Sequence, residues 1–143
     1  MSNETIEIFE NHPVNYATFW ERLAAAFIDG ILVSIVNYGI LFAISDDWMQ
    51  PPFYLRIINI IIGVSYFAYF ESSEKQATFG KQAMNIKVTS MSGERISFKN
   101  AIGRYFAKIV SAIIIFIGYL MMLWDDKKQT LHDKMASTLV VKK

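Results

Sequence analysis

The chain has 143 residues, a formal net charge of +1 and 53% hydrophobic residues, with a mean hydropathy of +0.28. That is the length of one domain, but it is too apolar for an ordinary soluble one. The balanced charge gives no basis for a nucleic-acid partner, and the absence of cysteine excludes disulfides, cysteine-ligated zinc and thiol chemistry.

Residues 1–15 read as a short polar arm with three glutamates and no Lys or Arg, broken at His12-Pro13. A cleavable signal peptide needs a basic segment followed by a short apolar one, so the first apolar stretch is expected to be retained as a span. That stretch, residues 19–44, is almost wholly apolar yet carries Arg22 and Asp29. Thr18 and Glu21 fit a capping box, which predicts a helix over 18–44. Tyr16, Phe19 and Trp20 would anchor it at headgroup level. At 1.5 Å per residue it reaches roughly 39 Å, enough to cross ~30 Å of hydrocarbon with some tilt. Arg22 and Asp29 share one face, roughly 10 Å apart along the axis. A charge placed so deep costs roughly 3 kcal/mol or more unless it finds company. Asn37 lies two turns beyond Asp29, near the same face. Ala26, Gly30 and Ser34 recur at every fourth position, a stripe that lets another helix approach closely.

Residues 45–52 (SDDWMQPP) form a turn, and a second span is expected over 53–70, with Arg56 near its start and Asn59 one turn in. Asn59 and Gly63 are a further close-packing candidate, and Tyr66, Tyr69 and Phe70 mark the far interface. Residues 71–97 are polar and basic. Within them Thr78-Phe79-Gly80-Lys81 reads as a turn, lacking the second glycine of a phosphate loop. Alternation at Ile86-Lys87-Val88-Thr89, a Ser92-Gly93-Glu94 turn and Arg95-Ile96 predict a small β-hairpin within 84–97.

Ser97 can cap the next helix. Phe98, Ala101, Ile102, Tyr105, Phe106 and Ile109 follow helical spacing, with Lys99, Asn100, Arg104 and Lys108 elsewhere on the wheel. This basic amphipathic stretch suits the membrane interface and contact with anionic lipid headgroups. It runs into residues 109–123, an apolar stretch, so a helical segment is expected over 98–124, followed by a tail over 125–143 with a strand-like Thr138-Leu139-Val140-Val141.

The 45–52 turn has no Lys or Arg and the 71–108 segment has seven, which places the N-terminus and 71–108 in the cytoplasm. The tail's lysines ask for the same side. Fifteen apolar residues give only ~22 Å of helix, so the third segment is expected to be bent or re-entrant, the alternative being a third plain crossing. A cytoplasmic tail would let Leu139-Val140-Val141 pair with the hairpin. The fold class expected is an all-α integral membrane protein with two long transmembrane helices, a third short bent segment and a small cytoplasmic β element.

Residues 16–29 (YATFWERLAAAFID), 78–88 (TFGKQAMNIKV), 96–104 (ISFKNAIGR) and 129–141 (QTLHDKMASTLVV) together resemble the RDD family of small bacterial membrane proteins. The resemblance spans about 16–141 and implies a multi-pass protein of the bacterial cytoplasmic (inner) membrane. The family's Arg corresponds to Arg22, its first Asp to Asp29 and its second to Asp133, with Asp125 and Asp126 close by. Transport is attributed to some members, including exchange of monovalent cations for protons; others carry the region attached to further domains, which implies docking roles.

Asp29 is the group that could titrate for such exchange, with H+ or a monovalent cation as partner. The competing reading is a structural charge cluster: Arg22 with Asp133, and Asp29 with Arg56, Arg104, Lys108 or a backbone amide. One chain encloses little, so transport would call for a homo-oligomer packed on the Ala26, Gly30 and Ser34 stripe. The other reading is a non-transporting scaffold whose basic face docks a partner or anionic lipid. His132 and Asp133 fall short of a metal site, which needs three or four ligands. No nucleophile–base pair or pair of catalytic carboxylates is legible, so neither an enzyme nor a cofactor is expected.

Overall fold

The computed structural model describes residues 14–47, 49–114 and 117–143. The polar arm expected over 1–15, with its His12-Pro13 break, therefore lies outside the described residues up to position 13. Helix α1 is Phe19–Ile44, and Thr18 caps it: its hydroxyl accepts from the Glu21 amide while the Glu21 carboxylate accepts from the Thr18 amide. Helix α2 is Phe53–Ser72, two residues longer than expected. These two helices are long and apolar enough to cross a membrane. Large side chains point outward along them, Phe27 being 70% exposed, while Asp29, two residues on, is 1% exposed. An apolar exterior around a polar interior is the arrangement a lipid solvent demands, and the chain is a membrane protein in this respect.

Residues 73–97 return through the one-turn helix α3, Phe79–Ala83, and strand β1, Ile86–Ser90. Helix α4, Phe98–Ile113, then bends by 112° into the short α5, Ile117–Leu120, and a 3-10 turn, Met121–Leu123. Taken as one broken span, this pair makes a third candidate crossing. Helix α6, Leu131–Ala136, ends at Ser137, whose left-handed φ of 52° redirects the chain into strand β2, Thr138–Lys142.

The expected hairpin is corrected here. β1 pairs antiparallel with β2, with Val88 opposite Val140 and Ser90 opposite Thr138. Arg95-Ile96 forms no strand; the Ser90 amide donates to the Glu94 carbonyl at 2.8 Å and the turn at Gly93 leads straight into the Ser97 cap of α4. Two residues before a helix cap cannot offer a ladder, whereas β2 brings Leu139, Val140 and Val141 to be buried with Ile86 and Val88. The chain before α1 joins the same sheet: Tyr16 bridges Val141, and the Ala17 amide donates to the Val140 carbonyl at 2.9 Å. The core under the sheet contains Ala17, Ala25, Ala68, Ile86, Val88, Ile96, Ala101 and Val140. It gathers the N-terminal end of α1 and the C-terminal end of α2 at one pole of the molecule.

The face of α4 also differs from expectation. Phe98, Phe106 and Ile109 are exposed, and the buried line is Ala101, Arg104, Ala107 and Ser111. In a lipid-facing helix the apolar stripe faces outward and the small and charged residues turn in.

A buried chain of charges at one pole

Asp133 sits in the first turn of α6 and accepts the Thr130 amide at 3.1 Å, closing that helix's capping box. The same carboxylate receives two guanidiniums. Arg22 Nη1 from α1 meets Oδ2, and Arg104 Nη2 from α4 meets Oδ1 at 2.5 Å. Arg22 Nη2 also donates to the Lys128 carbonyl at 2.8 Å. Arg104 then passes the chain on: its Nη1 donates to Glu71 Oε2 at 2.7 Å and its Nε to the Thr138 hydroxyl at 3.2 Å. Glu71 Oε1 takes Lys81 Nζ at 2.6 Å and Lys108 Nζ at 3.4 Å. Lys108 Nζ lies 4.2 Å above the Phe67 ring. Asp133, Arg104 and Glu71 are each no more than 1% exposed.

Asp29 stands apart from this chain. Its Oδ1 accepts the Tyr66 hydroxyl at 2.8 Å and the Gly80 amide at 2.8 Å, and its Oδ2 the Thr78 hydroxyl at 2.6 Å. The expectation that Arg56, Arg104 or Lys108 meets Asp29 is corrected: the two α4 cations go to Glu71 and Asp133, and Arg56 is exposed. The backbone amide is the expected partner that it does find. The Thr78–Lys81 turn exists to deliver that amide. Thr78 caps α3, and Gly80 lets the turn lie against α1, where a Cβ would overlap the Ala25 carbonyl oxygen.

Other expected positions fall elsewhere. Ala26, Gly30 and Ser34 are exposed, and nothing lies within 4 Å of a Cβ built on Gly30, so no described helix of this chain fills the stripe. Gly63 does mark a close approach, receiving the Tyr105 hydroxyl of α4. Asn59 is half-buried; Asn37 is half-buried, and its Oδ1 has no partner among the described residues. Asp125 accepts the Lys127 and Gln129 amides and pairs with Lys134 at 2.6 Å, organising the turn before α6. His132 Nε2 is 3.0 Å from the Thr130 hydroxyl, and its ring packs on Tyr119. Among the described residues no three His, Asp or Glu side chains come together as a metal site.

Burial by itself would raise the Asp133 pKa, but Arg104 and Arg22 override it and hold the carboxylate well below the usual range. Burial pushes His132 down to about 2, so its ring is neutral despite Asp133 beside it.

Glu71, Lys81, Tyr66 and Thr78 were not legible as site residues. Glu71 reads as the first residue of a loop because the apolar run stops at Phe70. Its one signal is spacing: Gly63, Phe67 and Glu71 recur at every fourth position on α2 and face α4 together.

The sequence pattern of the RDD family matches residues 16–137. The chain belongs to the RDD family. Its relatives include the uncharacterized protein YxaI of Bacillus subtilis, 39% identical over 89% of this chain and 97% of that protein. The uncharacterized membrane protein YteJ of the same organism is 28% identical over 88% of this chain and 80% of its own length. A proline-rich antigen homolog of Mycobacterium tuberculosis is 29% identical over 85% of this chain but only 52% of its own length, so there the RDD region is about half of a longer protein. No solved structure matches. Arg22 and Asp133 touch, whereas Asp29 belongs to the separate clamp on the Thr78–Lys81 turn.

Proposed function

We propose that this RDD protein is a non-transporting membrane scaffold, with Arg22, Asp29 and Asp133 holding its polar pole together and the basic face of that pole docking a partner or anionic lipid. The observation that carries this reading is the state of Asp29: three neutral donors hold it, Thr78 and Gly80 from the turn that it pins in place and Tyr66 from α2. A carboxylate so bound is a clamp; releasing it to carry a proton or cation would break the turn it holds. The cavity beside it, of about 150 Å³, is also lined by Arg22, Lys81, Arg104 and Lys108. A cavity lined by four basic side chains disfavours a monovalent cation on its way to Asp29. No enzymatic role is part of this reading. The polar pole faces the cytoplasm, in keeping with the lysines and arginines of 71–108 and the tail.

The transport reading keeps one observation in its favour, that Asp29 lines a cavity. Proteoliposomes under a pH gradient separate the two. The scaffold reading expects no proton release on adding Na+, K+ or Li+, and Asp29→Asn should lower the unfolding temperature. Saturable, cation-dependent proton release that vanishes in a folded Asp29→Asn protein would establish exchange, and the homo-oligomer that exchange requires would then be sought by cross-linking along the Ala26, Gly30 and Ser34 face.

A further inference from the structure

The buried charges do not balance. Glu71 carries one negative charge shared among Arg104, Lys81 and Lys108, and Asp133 carries one shared between Arg22 and Arg104. Four basic side chains therefore rest on two carboxylates. The third carboxylate, Asp29, is turned onto hydroxyls and an amide. Burying uncompensated charge is expensive, and it is relieved either by loss of a proton or by an opposite charge supplied from outside. The cavity of about 150 Å³ lies where all four cations line one space. A single water needs only about 10–15 Å³ measured the same way, so there is room for a group of several heavy atoms.

Two polar atoms of residues that line the cavity lack partners among the described residues. Arg22 Nε is buried and unpaired, and so is Nδ1 of His132, a residue only 3% exposed. If Nε2 of the neutral ring accepts from the Thr130 hydroxyl, Nδ1 carries the proton and is a free donor. Guanidinium, ammonium and imidazole side chains lining one cavity suit a tetrahedral oxyanion better than a spherical halide. The mouth of the cavity includes Leu23 and Ala26, exposed positions within two turns of the start of α1, which is the depth of a lipid headgroup when that helix spans a bilayer.

We propose that the cavity between α1, α4 and α6 is a binding site for one phosphate-type oxyanion, either the phosphodiester of an anionic lipid or free phosphate. It rests on the scaffold reading in that the bound anion completes the charge cluster. The test uses the full chain in a neutral detergent at constant ionic strength, with chloride as the balancing ion. Binding is read by the shift in unfolding temperature and by native mass spectrometry, with inorganic phosphate in one arm and phosphatidylglycerol against phosphatidylcholine nanodiscs in the other. The expected result is saturable binding of one anion per chain. Response to phosphate alone assigns the free anion, response to the lipid alone assigns the headgroup, and response to both shows that either source fills the site; each supports the site. Lys108→Gln should weaken binding at least tenfold while leaving the ligand-free unfolding temperature unchanged or raised, because it removes excess positive charge. Lys99→Gln, an exposed change on the same helix, should leave the affinity as it was. Absence of saturable binding in both arms overturns the proposal. So does equal saturation by chloride, or a Lys108→Gln protein that binds like Lys99→Gln. Because no ion flux is measured, failure here is separate from failure of the scaffold reading.

Discussion

Gly80 has no side chain because its neighbours leave no space for one. A Cβ would overlap the Ala25 carbonyl oxygen and lie 2.8 Å from Asp29 Cγ. Gly80→Ala gains up to about 1 kcal/mol of helix propensity, but the obstacle is backbone and cannot swing aside. Overpacking of this kind costs about 1–3 kcal/mol, and here it also displaces the amide that Asp29 accepts. The expected outcome is a net loss of about 2 kcal/mol or more, read from thermal unfolding in detergent. His132 sets a pH dependence. Its folded pKa of about 2 lies below the ordinary 6.5, so the unfolded chain binds the extra proton between those values. Stability is complete above about pH 6.5 and falls by up to ~1.4 kcal/mol for each pH unit below it. His132→Gln should flatten the unfolding temperature between pH 6.5 and 4.5; an unchanged slope would show that another group is responsible. Asp133 adds a second, more acidic loss. Its stabilisation is complete above the ordinary carboxylate range and falls progressively as the pH drops below about 4 toward its lowered folded value, where Arg22 and Arg104 lose their counter-charge.

Between elements, the charge chain joins what apolar packing leaves loose. Arg22 belongs to α1, Glu71 to α2, Lys81 to α3, Arg104 and Lys108 to α4, and Asp133 to α6. Lipid offers no hydrophobic drive for helices to associate, so polar contacts and close approaches such as Gly63 on Tyr105 decide which faces meet. Glu71→Gln would leave Lys81 and Lys108 with no carboxylate and Arg104 with only Asp133. Breaking a buried pair from one side costs about 3–5 kcal/mol, so this variant should unfold far below the parent. Adding Lys81→Met to Glu71→Gln should recover part of the loss, a double-mutant coupling of about 1–3 kcal/mol. If the two changes are simply additive, Lys81 draws nothing from Glu71. The sheet works at the same scale: β2 closes over β1 and over the chain entering α1, tying the strand that follows the family-matched region to that region's start.

For the whole molecule, an apolar exterior meets one polar pole. The sidedness of that pole has a direct test, since the chain contains no cysteine. Gln50→Cys, in the turn between α1 and α2, should react with a membrane-impermeant maleimide added to intact cells. Glu94→Cys, exposed in the loop after β1, should react only after permeabilisation. The opposite pattern would turn the protein over and place the sheet outside.

Two apolar runs of bilayer length, the cap at Thr18 and the odd placement of Arg22 and Asp29 were legible along the chain, because hydropathy and capping are local properties. The bend after α4 was legible too, as a shortage of apolar length. Three features were settled only by tertiary structure. β1 pairs with the tail strand that the sequence offered, but the local return at Arg95-Ile96 is absent because burial of Val140 and Val141 outweighs it. Arg104 and Lys108 turned inward because an acid at the end of α2 waited there, and a residue at the edge of an apolar run looks the same whether it faces solvent or a cation. Asp29 took neutral donors because a glycine turn far along the chain could reach it. Local sequence specifies which groups must find partners in lipid; which partners they find depends on contacts between segments distant in sequence.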